Sequence, residues 1–130
     1  MTRSEQREEI LILTFEKTFH EESLDELFSL AKELREDKIN DYIEKEVIGI
    51  FENLEKIDSL IEENCIGWKI NRIPRICLCI MRVCIYEMLF DDTVPVGVAI
   101  NEAVNLCKKY ASEDDKKFVN GVLGTVSKKI

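Results

Sequence analysis

The stretch Val94–Leu123, VPVGVAINEAVNLCKKYASEDDKKFVNGVL, reads as two helices joined by a short break. Pro95 and Gly97 punctuate its start, and Val96, Ala99, Ile100, Ala103, Val104, Cys107 and Tyr110 then recur at a helical period. After Ala111 and Ser112 a second stripe follows, made of Phe118, Val119, Val122, Leu123, Val126 and Ile130. Ser112 has the chemistry of an N-cap, and the acids at 113–115 suit the positive end of a helix dipole. The junction gathers Lys108, Lys109, Lys116 and Lys117 around Tyr110 and Phe118. Cations for phosphates and ring faces for unstacked bases are the ingredients of single-stranded nucleic-acid binding. The two rings fit a helix-pair core as well, Phe118 above all, and spacing alone does not separate these roles.

Toward the N-terminus, Pro74–Phe90 reads as the helix this pair packs against. Proline suits a first helical turn, where its missing amide would lack a partner anyway. Cys77, Ile80, Met81, Cys84 and Met88 share one side, while Arg75, Cys79, Arg82 and Tyr86 share the other. A helix apolar on nearly all sides belongs at the centre of a fold. Arg82 within it requires an acidic or carbonyl partner, because an unpaired buried charge is very costly. Gly67 ends the preceding stripe of Ile39, Ile43, Val47, Ile50, Leu54, Ile57, Ile61 and Cys65, which is either one curved helix or two joined near Asn53. Farther back, Ser23-Leu24-Asp25-Glu26 has the form of a capping box, with Leu24, Leu27, Phe28, Ala31 and Leu34 on one face behind it. Ser4–Phe19 opens the chain as a helix with Ile10, Leu11, Leu13, Phe15 and Phe19 inward. Arg3 and Arg7 lie four apart at its polar start, either a solvated helix end or a short basic arm.

Two prolines, five glycines and no Asn-Gly or Asp-Gly dipeptide leave few breaks. The fold class expected is all-α, with six to seven helices in two packed helical subdomains, about 1–66 and about 67–130, forming one domain. No apolar run reaches the roughly 18 to 20 residues that span a bilayer, so no membrane partner is expected. Met1 to Glu9 is polar rather than a secretory signal, and five cysteines, an odd number, sit inside apolar stripes. A reduced, cytoplasmic compartment follows.

Net charge is -8, which taken alone speaks against a nucleic-acid partner. Its distribution reverses that inference. Residues 1–66 hold 8 Lys or Arg against 19 Asp or Glu, whereas residues 67–130 hold 10 against 7. Local field, not the sum, governs where a polyanion docks.

Catalytic chemistry finds little support. Cys77 and Cys79 lie about 200° apart on a helix, too far round to share a metal, there is no Cys-x-x-Cys, and the only histidine is His20. Buried, inert thiols are the expectation, with no metal and no cofactor. Serine-elbow, P-loop and glycine-rich dinucleotide motifs are missing, and the paired acids Glu8-Glu9, Glu21-Glu22 and Glu62-Glu63 diverge on a helix. The chain reads as a binding protein, not an enzyme.

Val98-Ala-Ile-Asn-Glu-Ala-Val104, then Lys108, then Lys117-Phe-Val-Asn-Gly-Val-Leu123, resembles the NusB family of transcription antitermination factors. Trp68, Arg72, Ile80-Met-Arg82, Tyr86-Glu87 and Pro95 fall in the same order and spacing, and Arg7-Glu8 is similar to the start of the family's first helix. The likeness is densest over residues 68–123 and thins over 20–60. It implies an all-α fold of two helical subdomains that binds the boxA element of nascent ribosomal RNA leaders together with NusE, a ribosomal small-subunit protein. The pair joins an RNA polymerase antitermination complex. On this resemblance Arg3 and Arg7 correspond to the basic start, Phe15 to a first-helix aromatic, and Tyr110, Asp114, Lys117 and Phe118 to the RNA surface at the helix junction. Asn120 and Gly121 correspond to conserved positions read as structural, with Gly121 admitting a neighbouring helix. Two departures stand out. The opening MTRSEQREE carries fewer cations than the family's arm, and Cys77-Leu78 replaces a charged pair. An exposed Leu78, on the Arg75 and Arg82 side, would favour a protein contact there; a buried Leu78 is the alternative. Two further readings remain beside RNA binding: a NusE-interaction module with little RNA affinity, and a fragment of an RNA-modifying enzyme, since this domain resembles one fused to some RNA cytosine methyltransferases. A chain of 130 residues leaves no room for that enzyme's cofactor-binding domain. Family members occur as monomers and as homodimers, and the residues leave both open.

Overall fold

The computed structural model describes the whole chain except Glu36, Asp37, Ile66 and Trp68. Trp68, quoted above for the family resemblance, thus lies outside the described residues. Among the described residues there are seven α-helices and no strand: α1 (Arg3–Lys17), α2 (Leu24–Arg35), α3 (Asp41–Glu52), α4 (Leu54–Glu63), α5 (Arg75–Phe90), α6 (Val96–Tyr110) and α7 (Glu113–Ser127). A single 3-10 turn, Ile70–Arg72, precedes α5. The chain forms two compact units, Met1–Glu52 and Asn53–Ile130. The division therefore falls at Asn53 and not near residue 66, because α4 packs on α5 and α7. The long apolar stripe is two helices, as one of its two readings required.

In the first unit α1 packs on α2 and α3. Thr2 starts α1 with a reciprocal cap: its hydroxyl accepts the Glu5 amide at 3.1 Å, and the Glu5 carboxylate accepts the Thr2 amide at 3.2 Å. Ser23 caps α2 in the expected way, its hydroxyl accepting from the Glu26 amide at 3.2 Å. The core holds Ile10, Leu11, Leu13, Leu27, Phe28, Ala31, Ile43, Val47 and Ile50. Arg35 ties the end of α2 to α1, with Nη1 3.1 Å from Glu9 Oε2 and Nη2 3.5 Å from Glu16 Oε1. Two expected core residues are not inside. Phe19 lies past the end of α1 and is 57 % exposed, its ring edge-on to Phe15 with centroids 4.9 Å apart. Leu34 is 77 % exposed, since the buried face of α2 narrows to Leu27, Phe28 and Ala31.

The second unit is built on α5, which contacts α4, α6 and α7. Cys77, Cys79, Ile80, Met81, Val83, Cys84 and Ile85 are all buried, so the central position foreseen for this helix is realised. Arg82 is buried and finds its acid on α4: Nε and Nη2 each donate to one Asp58 carboxylate oxygen at 2.9 Å. On α6 the buried face is Ala99, Ala103, Leu106 and Cys107. It is rotated from the expected stripe, leaving Val96 and Tyr110 exposed and bringing Leu106 in. On α7 it is Val119, Val122, Leu123 and Val126, while Ile130 lies exposed beyond the helix. Gly67 adopts φ +82°, a conformation that glycine reaches without steric cost. Gly121 is exposed, and a Cβ there would meet nothing within 4 Å, so no helix approaches it. The close approach expected at Gly121 is corrected accordingly.

Two stability predictions follow from this packing. Asp58→Ala should destabilise the protein by about 3 kcal/mol, because it strands a buried guanidinium. The double change Arg82→Met with Asp58→Leu should recover most of that loss in urea unfolding. Gly121→Ala should raise stability by about 1 kcal/mol through helix propensity alone; a loss would mean an unseen packing partner.

Candidate nucleic-acid interface

Ala111 and Ser112, both extended, are the only residues between α6 and α7. Ser112 is the N-cap foreseen: its hydroxyl accepts the Asp115 amide at 3.1 Å, and the Asp115 carboxylate accepts the Ser112 amide at 3.4 Å. The capping box fixes where α7 begins and gives Asp115 a structural task. Lys108 and Lys109 stand in the last turn of α6, where free carbonyls favour cations. Lys116 and Lys117 follow in α7 immediately after its acidic first turn.

The lysines converge. Lys116 Nζ lies 2.9 Å from Glu113 Oε2. That hydrogen bond, then the charges of Lys116, Lys117 and Lys108, hold the Glu113 carboxyl below the usual carboxylate range. Three cations from two helices therefore act on one point in solvent. Lys109 Nζ sits 5.6 Å from the centroid of the Tyr110 ring, a cation–π distance. Lys108, Lys109 and Lys117 are exposed, as is Tyr110, whereas Phe118 is half-buried. Lys116 is half-buried, and its charge is met by the Glu113 carboxylate at short range.

Successive side chains on α7 point about 100° apart, and this divides the cluster. Lys116, Lys117 and Asn120 face a groove of about 340 Å³ whose other wall is Gly97, Ile100, Asn101 and Val104 of α6. Asp114, Asp115 and Phe118 line a second hollow of about 260 Å³ with Arg72, Ile73 and Pro74. Arg72, Asn101 and Asn120 received no binding role from the sequence. For Arg72 a signal existed, a cation two residues before Pro74 inside the matched segment. The two asparagines lay within the matched motifs, but nothing local showed that α6 and α7 bring them to one groove.

The remaining sequence candidates are placed elsewhere. Arg3 and Arg7 belong to the first unit, where the Arg3 guanidinium stacks 3.9 Å from the Tyr42 ring centroid. Arg7 is buried, 6 % exposed, and engaged by other groups. Phe15 is half-buried against Phe19. Leu78 is half-buried on α5, and Arg82 is held by Asp58 as described.

The NusB family profile matches residues 4–128. The chain belongs to the NusB family. The transcription antitermination protein NusB of Clostridium perfringens (strain SM101 / Type A) is 42 % identical over 134 residues, covering 100 % of this chain and 99 % of that protein. Among solved structures, T. maritima NusB aligns with a TM-score of 0.86 at 29 % identity, over 99 % of this chain and 92 % of that one. A crystal structure of antitermination factors NusB and NusE in complex with dsRNA aligns equally well, with a TM-score of 0.86 at 30 % identity over 98 % and 97 % of the two chains. The NusB assignment agrees with the all-helical architecture. Among the described residues no helix is long and apolar enough to cross a membrane.

Cys77, Cys79 and Cys107 are buried thiols of the second unit. Burial first, then the charge of Asp115, pushes Cys77 up to about 12 and Cys107 up to about 11; burial alone dominates for Cys79, at about 11. Raised native values mean that this stabilisation is complete below pH 9 and drains away as pH rises toward 11 or 12. A thiol reagent at pH 8 should therefore leave the native protein nearly unlabelled and label all five cysteines in urea. Rapid native labelling of Cys77 or Cys107 would mean that the α5–α6–α7 packing opens readily.

Proposed function

We propose that this chain is an RNA-binding transcription antitermination factor. With NusE it binds boxA-type single-stranded elements in nascent ribosomal RNA leaders and supports an RNA polymerase complex that resists termination. It acts in the cytoplasm and performs no catalysis. The observation that carries this reading is the two-residue junction that sets Lys108 and Lys109, at the end of α6, close to Lys116 and Lys117, near the start of α7, with Tyr110 and Phe118 beside them. Exposed charges interact over about 8 to 10 Å at physiological salt. A strand at this corner therefore responds to nearby lysines more than to the net charge. Residues 1–52 hold 7 Lys or Arg against 15 Asp or Glu and so carry the whole of the -8, while residues 53–130 hold 11 against 11. NusE as partner is supported by the NusB–NusE–dsRNA structure, which is 30 % identical over nearly the full chain.

A second reading has its own motivation. Arg7 is buried and Arg3 lies over Tyr42, so the N-terminal cations are already occupied. The chain would then act mainly as an interaction module for NusE, with little RNA affinity of its own. Titration of boxA-type and scrambled RNA, with and without NusE, separates the two. RNA affinity raised by NusE and specific for boxA supports antitermination through RNA. An intact NusE complex that adds nothing to RNA affinity supports the interaction module, and equal weak binding to both RNAs rejects the first reading. Lys117→Ala should weaken binding to boxA-type RNA and lower the slope of log affinity against log salt by about 0.7. An unchanged slope would remove Lys117 from the phosphate contacts.

A further inference from the structure

The groove between α6 and α7 has a feature that phosphate attraction does not explain. Its walls each offer one carboxamide, Asn101 from α6 and Asn120 from α7, and Ile100 and Val104 add apolar surface to the α6 wall. Both asparagines are exposed, and neither side chain hydrogen-bonds to another described residue. Lys117 stands at the rim, exposed and without an ion pair to any described residue. Each carboxamide presents one donor face and one acceptor face. That is the complement of adenine, whose N6 amino group donates and whose N7 accepts, whereas guanine offers two acceptors at O6 and N7. The apolar surface of Ile100 and Val104 suits the face of an unstacked base, and the Lys117 ammonium suits its phosphate.

We propose that this groove is a base-recognition subsite for single-stranded RNA, taking one unstacked adenine between Asn101 and Asn120 with Lys117 on the adjoining phosphate. The proposal rests on the RNA-binding reading above and adds a source of base selectivity to it. A polypeptide segment could also satisfy two amides, but the paired lysines on the same wall favour a polyanion. The open space at Gly97 provides a way to close the groove, since a Cβ there would meet nothing within 4 Å.

The test compares short oligo(A) and oligo(C) RNA by fluorescence anisotropy, with NusE absent and present. The wild-type chain should favour oligo(A) by about tenfold. Asn101→Ala, Asn120→Ala and the groove-filling Gly97→Leu should each lose most of that preference while oligo(C) affinity and its salt slope stay unchanged. Both asparagines are exposed on helices, so alanine should leave the thermal melt intact or raised. Asn105→Ala, an exposed α6 asparagine outside the groove, should behave as wild type. Equal wild-type affinity for the two RNAs, or a preference that survives the three groove variants, overturns the subsite alone. Reduced NusE binding by the asparagine variants with RNA selectivity intact also overturns it, and assigns the groove to the protein partner. Failure of the wild type to bind either RNA, with or without NusE, defeats the RNA reading itself and the subsite with it.

Discussion

Burial of α5 on nearly every side is the constraint that the second unit depends on. A helix with Cys77, Ile80, Met81, Cys84 and Ile85 inside must be enclosed, and α4, α6 and α7 do so. Hydrophobic burial supplies the drive but is non-directional. Direction comes from the Arg82–Asp58 pair, whose two 2.9 Å bonds tie α5 to α4 in one register. Once α6 and α7 are seated, the two residues between them leave the junction little freedom, and the Ser112 capping box sets the first turn of α7. The positions of Lys108, Lys116 and Lys117 are consequences of that packing.

Charge is divided unequally between the two units. The acidic excess is confined to residues 1–52, whereas in the second unit Lys108 and Lys109 stand in the last turn of α6, where the dipole favours cations, and Lys116 and Lys117 follow the acidic first turn of α7. The same turn of α7 carries Glu113, which holds Lys116 at 2.9 Å. An exposed pair of this kind is weak, so a phosphate can compete for that ammonium. The corner thus keeps Lys116 beside a carboxylate without holding it strongly.

Much of this was legible locally. The Ser112 cap, the central α5 and the need of Arg82 for an acid all follow from spacing and from the expense of burying an unpaired charge, whereas a break near Asn53 was only one of two readings of its stripe. The identity of the acid did not, because Asp58 lies 24 residues away and only packing brings it near. Helical period located apolar stripes but not their edges: Leu34, Phe19 and Val96 sit at edges and are exposed, whereas Leu106 turned inward. Gly121 looked like a site of close approach and faces open space. The candidate site was legible as a list of residues. Its division into a groove holding Lys117 and a hollow holding Phe118 was not, because that depends on which face of α7 meets α6 and which meets the segment before α5.

The most direct measurement is amide chemical-shift mapping of the isotope-labelled chain as boxA-type RNA is added at low and physiological salt. A cationic junction that binds RNA predicts the largest perturbations across Lys108–Phe118, diminishing as salt rises. Perturbations confined to residues 1–52, or none at a concentration of RNA that saturates the NusE-bound form, would contradict it.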